Sequence, residues 1–466
     1  MKILLFIIGL QLSLLAQNDT TTIIIMHTND MHGYIDKYAK MKPIIDSIRK
    51  NNVNTILVSA GDLFSGNPYV DKYKEPGYPM IDIMNKLGYE VSALGNHEFD
   101  YGQETMQKRF NEANFPIICA NINTQKAIVK SIIPYKIIKV GNTKIAFLSA
   151  LKITKKGYPQ TLPSKLEGLT FKKPIETINK YKFLKDSTNI VIGLTHLGIK
   201  TDKYLAETNN FIDVIIGGHS HTIIDTSTLI NNTLICQAGS YNNYLGVLTL
   251  KTVDNKLIYK HDTLISIINK TTEAIDILLS IHEYNDNKEV NKTIGYLSKT
   301  LISPFEIANL FNAAFIDATH SDIAFMNFGG IRIDTLKKGN IRYFDIYSVD
   351  PFNNELMTAE LSTDEIKAMI KYSYNLRNKP SIKCNLKYEI QKNEDGSFKS
   401  VKFTKPLNNN KLYKVVINSY MATAFKFKGS KKFKKIGVFS NNALVNFIKK
   451  QRWFFFNRTL NYSNLN

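Results

Sequence analysis

Aspartate, asparagine and histidine recur in this chain at one kind of place, directly after a short β-branched run. IIIMHTNDMHG sets Asp30 and His32 there, and TILVSAGD does the same for Asp62. VSALGNHEFD follows with Asn96 and His97, IVIGLTH with His196, and DVIIGGHSH with His219 and His221. Taken singly, an Asp-x-His after a strand is more often a turn residue beside a satisfied histidine. Taken together, the set mixes carboxylate and amide oxygens with imidazoles, the donor chemistry of a pair of divalent ions. One carboxylate can bridge two such ions while neutral imidazoles complete each sphere, and mixed oxygen and nitrogen sites accept zinc, manganese, cobalt or iron.

Residues this far apart meet only if a fold gathers them, and loops at the strand ends of layered α/β folds converge on one crevice. The required elements are legible. From Thr22 to about Ile265, apolar runs such as 23–26, 55–58, 91–94, 145–148, 190–194 and 214–216 alternate with amphipathic stretches, the pattern of an α/β layered domain. Met80, Ile83, Met84 and Leu87 form one helical stripe able to cover a sheet. The stretch 271–292 reads as a polar helix with Ile275, Leu278, Leu279 and Ile281 on its drier side, and it marks the boundary. The predicted division is a domain over 22–268, a linker helix over 269–292 and a second domain over 293–455. In the second half, Ser362 and Glu365 form a capping box before the apolar Ile366, Met369 and Ile370, and residues 413–417 read as a strand. The Asn/Arg/Tyr-rich end after Phe456 reads as a loose tail.

Composition bounds the rest. A chain of 466 residues exceeds one ordinary core and divides into two domains. With 44% hydrophobic and 21% charged residues, it is not collagenous, mucin-like or wholly disordered. Sixty Lys+Arg against 40 Asp+Glu leave +20, which fits either a polyanionic partner or a Lys/Asn/Ile-rich background. No helix-turn-helix, RNP-like or zinc-finger text occurs, so nucleic acid is not expected as a partner, and no obligate protein partner is evident. Three cysteines, at 119, 236 and 384, show neither metal nor redox spacing. Lys2 precedes an apolar run from Ile3 to Ala16, as in a secretory signal peptide over residues 1–16. That run is short of the ~20 residues a span needs, and no later segment replaces it. The mature chain is therefore expected in the periplasm or the medium, with no transmembrane span.

In this order, HTNDMHG, SAGD, LGNHEFDYG, THLG and GGHSHT resemble the metallophosphatase domain of the secreted 5'-nucleotidase/UDP-sugar hydrolase family. NFGGIR at 327–332 and VDPFNNEL at 349–356 are similar to that family's C-terminal substrate domain, so the likeness covers nearly the whole mature chain. It implies an α/β/β/α sandwich around the metals, joined by the linker helix to a smaller α+β substrate domain. By the same resemblance, Asp30, His32 and His221 hold one divalent ion, Asn96, His196 and His219 hold the other, and Asp62 bridges. His97 would be the catalytic histidine, with Asp100 fixing its tautomer. Asn327, Gly330, Arg332 and Asn354 would contact substrate, and Phe352 and Tyr420 would clamp a base between two rings. From the residues alone, core packing is the ordinary reading of those two aromatics.

The activity implied is hydrolysis of nucleoside 5'-monophosphates or related nucleotides by metal-activated water. A 2',3'-cyclic-nucleotide phosphodiesterase/3'-nucleotidase shares these motifs, and a non-catalytic anion-binding surface protein could share the scaffold without needing His97 and Asp100. Two departures from the family's pattern stand out. Ala424-Phe425-Lys426-Phe427 replaces a Gly-Gly-Asp-Gly turn that holds ribose hydroxyls, so a ribose clamp is not expected. Glu306 stands near the place of a phosphate-binding arginine, which leaves Arg332 as the expected phosphate contact. Six lysines between Phe425 and Gly437 read as a solvated loop, or as an attraction for a polyphosphate beside the clamp.

Overall fold

A computed structural model describes residues 20–352, 354–376 and 379–451. The expected signal segment and the tail after Phe456 lie outside the described residues. The N-terminal half is two facing sheets. One has seven strands in the order Lys256–Ser266, Tyr244–Val253, Thr20–Thr28, Thr55–Ser59, Val91–Ala93, Ile117–Ile118 and Ile132–Ile133. The other has six, in the order Thr228–Ile230, Thr233–Cys236, Val214–Gly217, Ile190–Thr195, Thr143–Leu148 and Tyr135–Val140.

The strands are apolar on successive residues because both of their faces are covered. Ile23, Ile25, Ile56 and Val58 point inward and meet Ile145, Phe147, Ile192 and Ile216 of the opposite sheet. Ile24, Met26 and Leu57 point outward, beneath Met41 and Ile45 of helix Tyr38–Asn51 and beneath Met80, Ile83, Met84 and Leu87 of helix Tyr78–Leu87. The second sheet is covered in the same way by Leu205 and Ala206 of helix Ile199–Thr208. The result is the expected α/β/β/α sandwich. Thr20–Thr28, Thr55–Ser59 and Val91–Ala93 run parallel, as do Ile190–Thr195 and Val214–Gly217, so the loops after them emerge at common edges.

The helix at the expected boundary spans Ile275–Asn285, shorter than the stretch expected, and its dry side matches expectation at Ile281 and Leu278 but not at Ile275 and Leu279. Ile277, Ile281 and Tyr284 are buried, whereas Ile275 and Leu279 are 72% and 63% exposed. The buried stripe keeps strict i, i+4, i+7 spacing and faces helices Tyr38–Asn51 and Tyr78–Leu87, where the Tyr284 hydroxyl donates to Asp82 at 2.6 Å. A tyrosine with a half-buried acceptor displaced Ile275 and Leu279 from the packed face.

The C-terminal sheet has five strands, ordered Ile382–Cys384, Ile323–Asn327, Tyr413–Asn418, Glu355–Leu361 and Lys434–Phe439. Helices Pro304–Thr319 and Ser440–Gln451 pack on one face through Phe311, Phe315, Leu444 and Ile448. Helix Thr363–Asn375 packs on the other through Ile366, Met369 and Ile370, and it starts with the expected reciprocal cap between Ser362 and Glu365. All three cysteines are buried and free. No helix among the described residues is long and apolar enough to cross a membrane.

Candidate metal centre and substrate cleft

The strand-end loops bring the predicted ligands together. Asp30 and His32 follow Thr28, Asp62 follows Ser59, Asn96 follows Ala93, His196 follows Thr195, and His219 and His221 follow Gly217. Five of these seven residues, Asp30, His32, Asp62, His219 and His221, adopt φ between 50° and 74°. Non-glycine residues enter that left-handed region rarely, and Asp, Asn and His most readily. Gly95 lets two loops close on one another, since a Cβ there would fall 2.2 Å from an Asp62 carboxylate oxygen.

Side chains converge accordingly. Asp62 Oδ2 lies 3.1 Å from His196 Nε2, 3.8 Å from His32 Nε2 and 4.0 Å from His97 Nε2. His221 Nε2 is 3.4 Å from Asp30 Oδ1 and 3.0 Å from His32 Nε2. On the far side, His219 Nδ1 is 2.9 Å from Asn96 Oδ1. The rings are aimed from behind: His32 Nδ1 donates to the Ser65 carbonyl at 3.1 Å and His196 Nδ1 to the Ala60 carbonyl at 2.8 Å. Such bonds settle the tautomer and free Nε2 as a ligand.

The electrostatics follow from burial. Burial pushes the Asp30 carboxyl up to about 7, against the pull of His196. Burial also opposes ionisation of Asp62, yet His196 and His97 outweigh it and hold that carboxyl well below the usual range. Burial, reinforced by Arg332, keeps His32 well below its ordinary value and His221 down at about 4, and burial beside His196 does the same to His219. These three imidazoles are neutral, as metal ligands must be. For His97, burial is overcome by Asp62 and Asp100, and the imidazole titrates above its ordinary value.

The donor set fits divalent cations. Asp30, His32 and His221 form one cluster and Asp62, His196 and His219 another, each with ligand atoms within 4.8 Å of one another. His196 differs from the other three imidazoles: burial opposes its charge, but Asp62, 3.1 Å from Nε2, outweighs burial and raises the imidazole to about 10, so a cation held there would have to displace that proton.

Beside this centre lies a cleft of about 920 Å³, lined by His97 and Asp100 on one side and by Asn327, Gly330, Arg332, Phe352, Asn354 and Tyr420 on the other. Arg332 Nη2 reaches 3.3 Å from His32 Nε2. The Phe352 ring lies 5.8 Å from that of His97, at 26°, with the Arg332 guanidinium 5.6 Å away on the ring face. His97 Nδ1 is 2.7 Å from Asp100 Oδ2. Asn327 accepts from Asn418 at 2.9 Å, and Asn354 accepts from Ser419 at 3.2 Å, so part of their capacity is spent inside the domain.

The structure shows what surrounds the two departures. Glu306 does not occupy the cleft wall, because it binds Lys299 at 2.7 Å and caps Ile302 N–H at 2.8 Å. Arg332 is not alone as a cation, since Lys72, Lys165, Lys379 and Lys435 share the lining. Of the six-lysine segment, Lys435 lines the cleft, paired to Glu355 at 3.0 Å, while Lys432 is turned away to Glu365 at 2.8 Å. In the stretch that replaces the ribose-holding turn, Phe425 lines the cleft, whereas Lys426, at the place of the missing carboxylate, is not among its lining residues.

Two buried residues escaped the sequence reading. Glu98 accepts the Leu63 and Gly95 N–H groups at 2.5 and 2.6 Å, tying the Asp62 loop to the Asn96 loop. Asn29 donates to Asp30 Oδ2 and to the Gly239 carbonyl, each at 2.6 Å. Both sit inside the quoted motifs, which is the signal that could have found them. A third group, His27, Cys236 and Asp262, lies in the core, with His27 Nε2 3.0 Å from Asp262.

Comparison with known proteins agrees with this geometry. Residues 23–222 match the calcineurin-like phosphoesterase family model and residues 290–429 the 5'-nucleotidase C-terminal domain. The chain is 29% identical over 433 residues to the trifunctional nucleotide phosphoesterase protein of Bacillus subtilis, covering 76% of this chain but only 29% of that protein. It is 26% identical over 482 residues to the 5'-nucleotidase of Bos taurus, covering 86% of this chain and 82% of the other. In structure it resembles a 5'-nucleotidase precursor of Thermus thermophilus, with a TM-score of 0.82 at 22% identity over 93% of this chain and 97% of that one. A phosphoesterase sandwich and a 5'-nucleotidase C-terminal domain thus share one cleft, and the chain belongs to the 5'-nucleotidase family of metal-dependent phosphoester hydrolases.

Proposed function

We propose that this protein hydrolyses nucleoside 5'-monophosphates and related nucleotides with two divalent cations, bridged by Asp62. Asp30, His32 and His221 would hold one, and Asn96, His196 and His219 the other. Bound there, the cations would supply Lewis acidity and an acidified water. The observation that carries the reading is the station of His97. Its ring is 4.8 Å from His32 and 5.8 Å from Phe352, between the ligand cluster and the substrate wall. Its Nδ1 is held by Asp100 at 2.7 Å, which leaves Nε2 to serve a bound phosphoryl group, where an imidazolium would stabilise developing charge or give a proton to the leaving oxygen. Arg332 would take a phosphoryl oxygen, and Phe352 and Tyr420 would stack a base.

A second reading, a nucleotide phosphoesterase with more than one activity, is favoured by the name of the Bacillus relative. Export is part of the proposal, supported by Lys2 and the apolar run behind it. Purified protein, stripped with chelator and reloaded with zinc, manganese, cobalt or iron, should release phosphate from a panel of mono-, di- and cyclic nucleotides, nucleotide sugars and sugar phosphates. Full turnover by protein shown to be metal-free would refute the mechanism. Equal rates on nucleotides and sugar phosphates would refute the substrate class.

A further inference from the structure

One segment touches both halves of the cleft. Residues 154–161 leave the second sheet beside a proposed ligand, where Leu151 bridges to His196 and Lys152 N–H donates to the His196 carbonyl at 3.0 Å. They re-enter the domain at Lys165 and Glu167, whose carbonyls accept from Gln103 at 3.3 and 2.8 Å, and at the buried Leu166 and Leu169. Between these anchors, Thr154 N–H donates to Tyr158 at 2.8 Å and Gly157 N–H to Thr154 at 3.0 Å, with Gly157 at φ 85°. The segment is therefore a fixed turn held at both ends.

Its middle makes four contacts outward. The Gln160 carbonyl accepts from Asn96 Nδ2 at 3.3 Å, and Thr161 Oγ1 donates to Asp100 Oδ1 at 3.3 Å. In the other direction, Lys156 Nζ donates to the Thr423 carbonyl at 2.9 Å and Gln160 Nε2 to the Tyr420 hydroxyl at 3.5 Å. An amide carries its oxygen opposite its NH₂, so pinning Asn96 Nδ2 turns Asn96 Oδ1 toward His219. Asp100 offers its other oxygen to His97, so holding Oδ1 holds the imidazole at one remove.

We propose that residues 154–161 form a positioning strap. Through Gln160 and Thr161 it sets Asn96 and Asp100, and through Lys156 and Gln160 it makes that setting depend on how the C-terminal domain is seated. This rests on the hydrolytic reading above. None of the strap residues is a catalytic residue, and their effect appears in turnover more than in binding. A group misplaced by a fraction of an ångström slows a positioned reaction.

The test measures kcat, KM, metal content and thermal midpoint on an aryl phosphate and on a nucleoside monophosphate. Thr161→Val should lower kcat roughly three- to tenfold with KM, metal content and midpoint unchanged, and Thr161→Ser should restore it. Lys156→Ala should lower kcat by a similar factor although Lys156 contacts neither the ligands nor His97. Lys156→Ala with Thr161→Val should cost less than the product of the two, because both act through one strap. Unchanged kcat in Thr161→Val, a serine no better than valine, an effect of Lys156→Ala on KM alone, or multiplicative losses would each overturn the strap. If the wild type cleaves the aryl phosphate but no nucleotide, only the substrate reading falls, and the strap is judged on the aryl phosphate.

Discussion

On the N-terminal side of the cleft, Asp30, His32, Asp62, His219 and His221 all sit on left-handed backbone. From residue 293 onward, His320 is the only described non-glycine residue with a positive φ, and it caps helix Pro304–Thr319. Left-handed backbone costs a non-glycine residue roughly 1–3 kcal/mol and persists where its surroundings over-determine it. The N-terminal side is held that way, by Glu98 and Asn29 and by the carbonyls behind His32 and His196. The C-terminal side presents Arg332, lysines and aromatic rings from unstrained elements. Rigid ligands suit chemistry that tolerates little displacement, and looser side chains suit recognition. Substitutions on the first side should therefore strike metal content and kcat, and those on the second should strike KM.

The sharpest way to break this contrast is Asp62→Ala. It should empty the centre and lower turnover by roughly 10³-fold or more, the scale of lost Lewis-acid stabilisation. Elemental analysis beside phosphate release checks it, and a variant that keeps both its metal and its rate removes Asp62 from the bridge.

His97→Ala comes next, with a loss of roughly 10²-fold in kcat at unchanged metal content. Its pH dependence has a definite sign. Asp62 and Asp100 hold the His97 imidazolium above its ordinary 6.5, so the protonated form, and the activity that needs it, persist past that pH and fall on the alkaline side. Asp100→Asn removes one of the raising charges and should move that alkaline limb to lower pH. A pH–rate profile shifted upward would contradict it.

On the recognition side, Phe352→Ala with Tyr420→Ala should raise KM for nucleotides by roughly tenfold or more, since stacking is worth ~1–3 kcal/mol per base. A sugar phosphate is the control, because the Phe352 ring also lies beside His97 and can affect every substrate. If nucleotides and sugar phosphates keep their original ratio, there is no base clamp.

The smallest effect separates two lysines of one segment. Lys435→Ala should raise KM by about twofold, as expected for an exposed charge already shared with Glu355, whereas Lys432→Ala should leave KM unchanged. Equal shifts would mean that the segment acts as a diffuse field, with no contact by Lys435, the lysine of that segment that lines the cleft.

Much of this protein is legible in its sequence for local reasons. Apolar runs alternating with amphipathic stretches announce a layered α/β domain, because strand and helix periods are properties of neighbouring residues, while the four-layer sandwich is implied by the family resemblance and not by periodicity. Asp30, His32, Asp62, His219 and His221 are legible because strand-end turns on left-handed backbone favour those residue types, and the same types bind cations. The cap formed by Ser362 and Glu365 is equally local. What tertiary structure alone decided involves partners distant in sequence. Periodicity could not tell that Tyr284 would turn the boundary helix away from Ile275 and Leu279, nor that Glu306 would serve Lys299 in place of a phosphate. Which lysine of the basic segment reaches the cleft depends on the register of strands Glu355–Leu361 and Lys434–Phe439. That Gln160 meets Asn96 and Tyr420 at once depends on how two domains sit together. Local sequence sets the preferences of a backbone, but a contact across 64 residues or 260 exists only once the sheet edges and the domains have met.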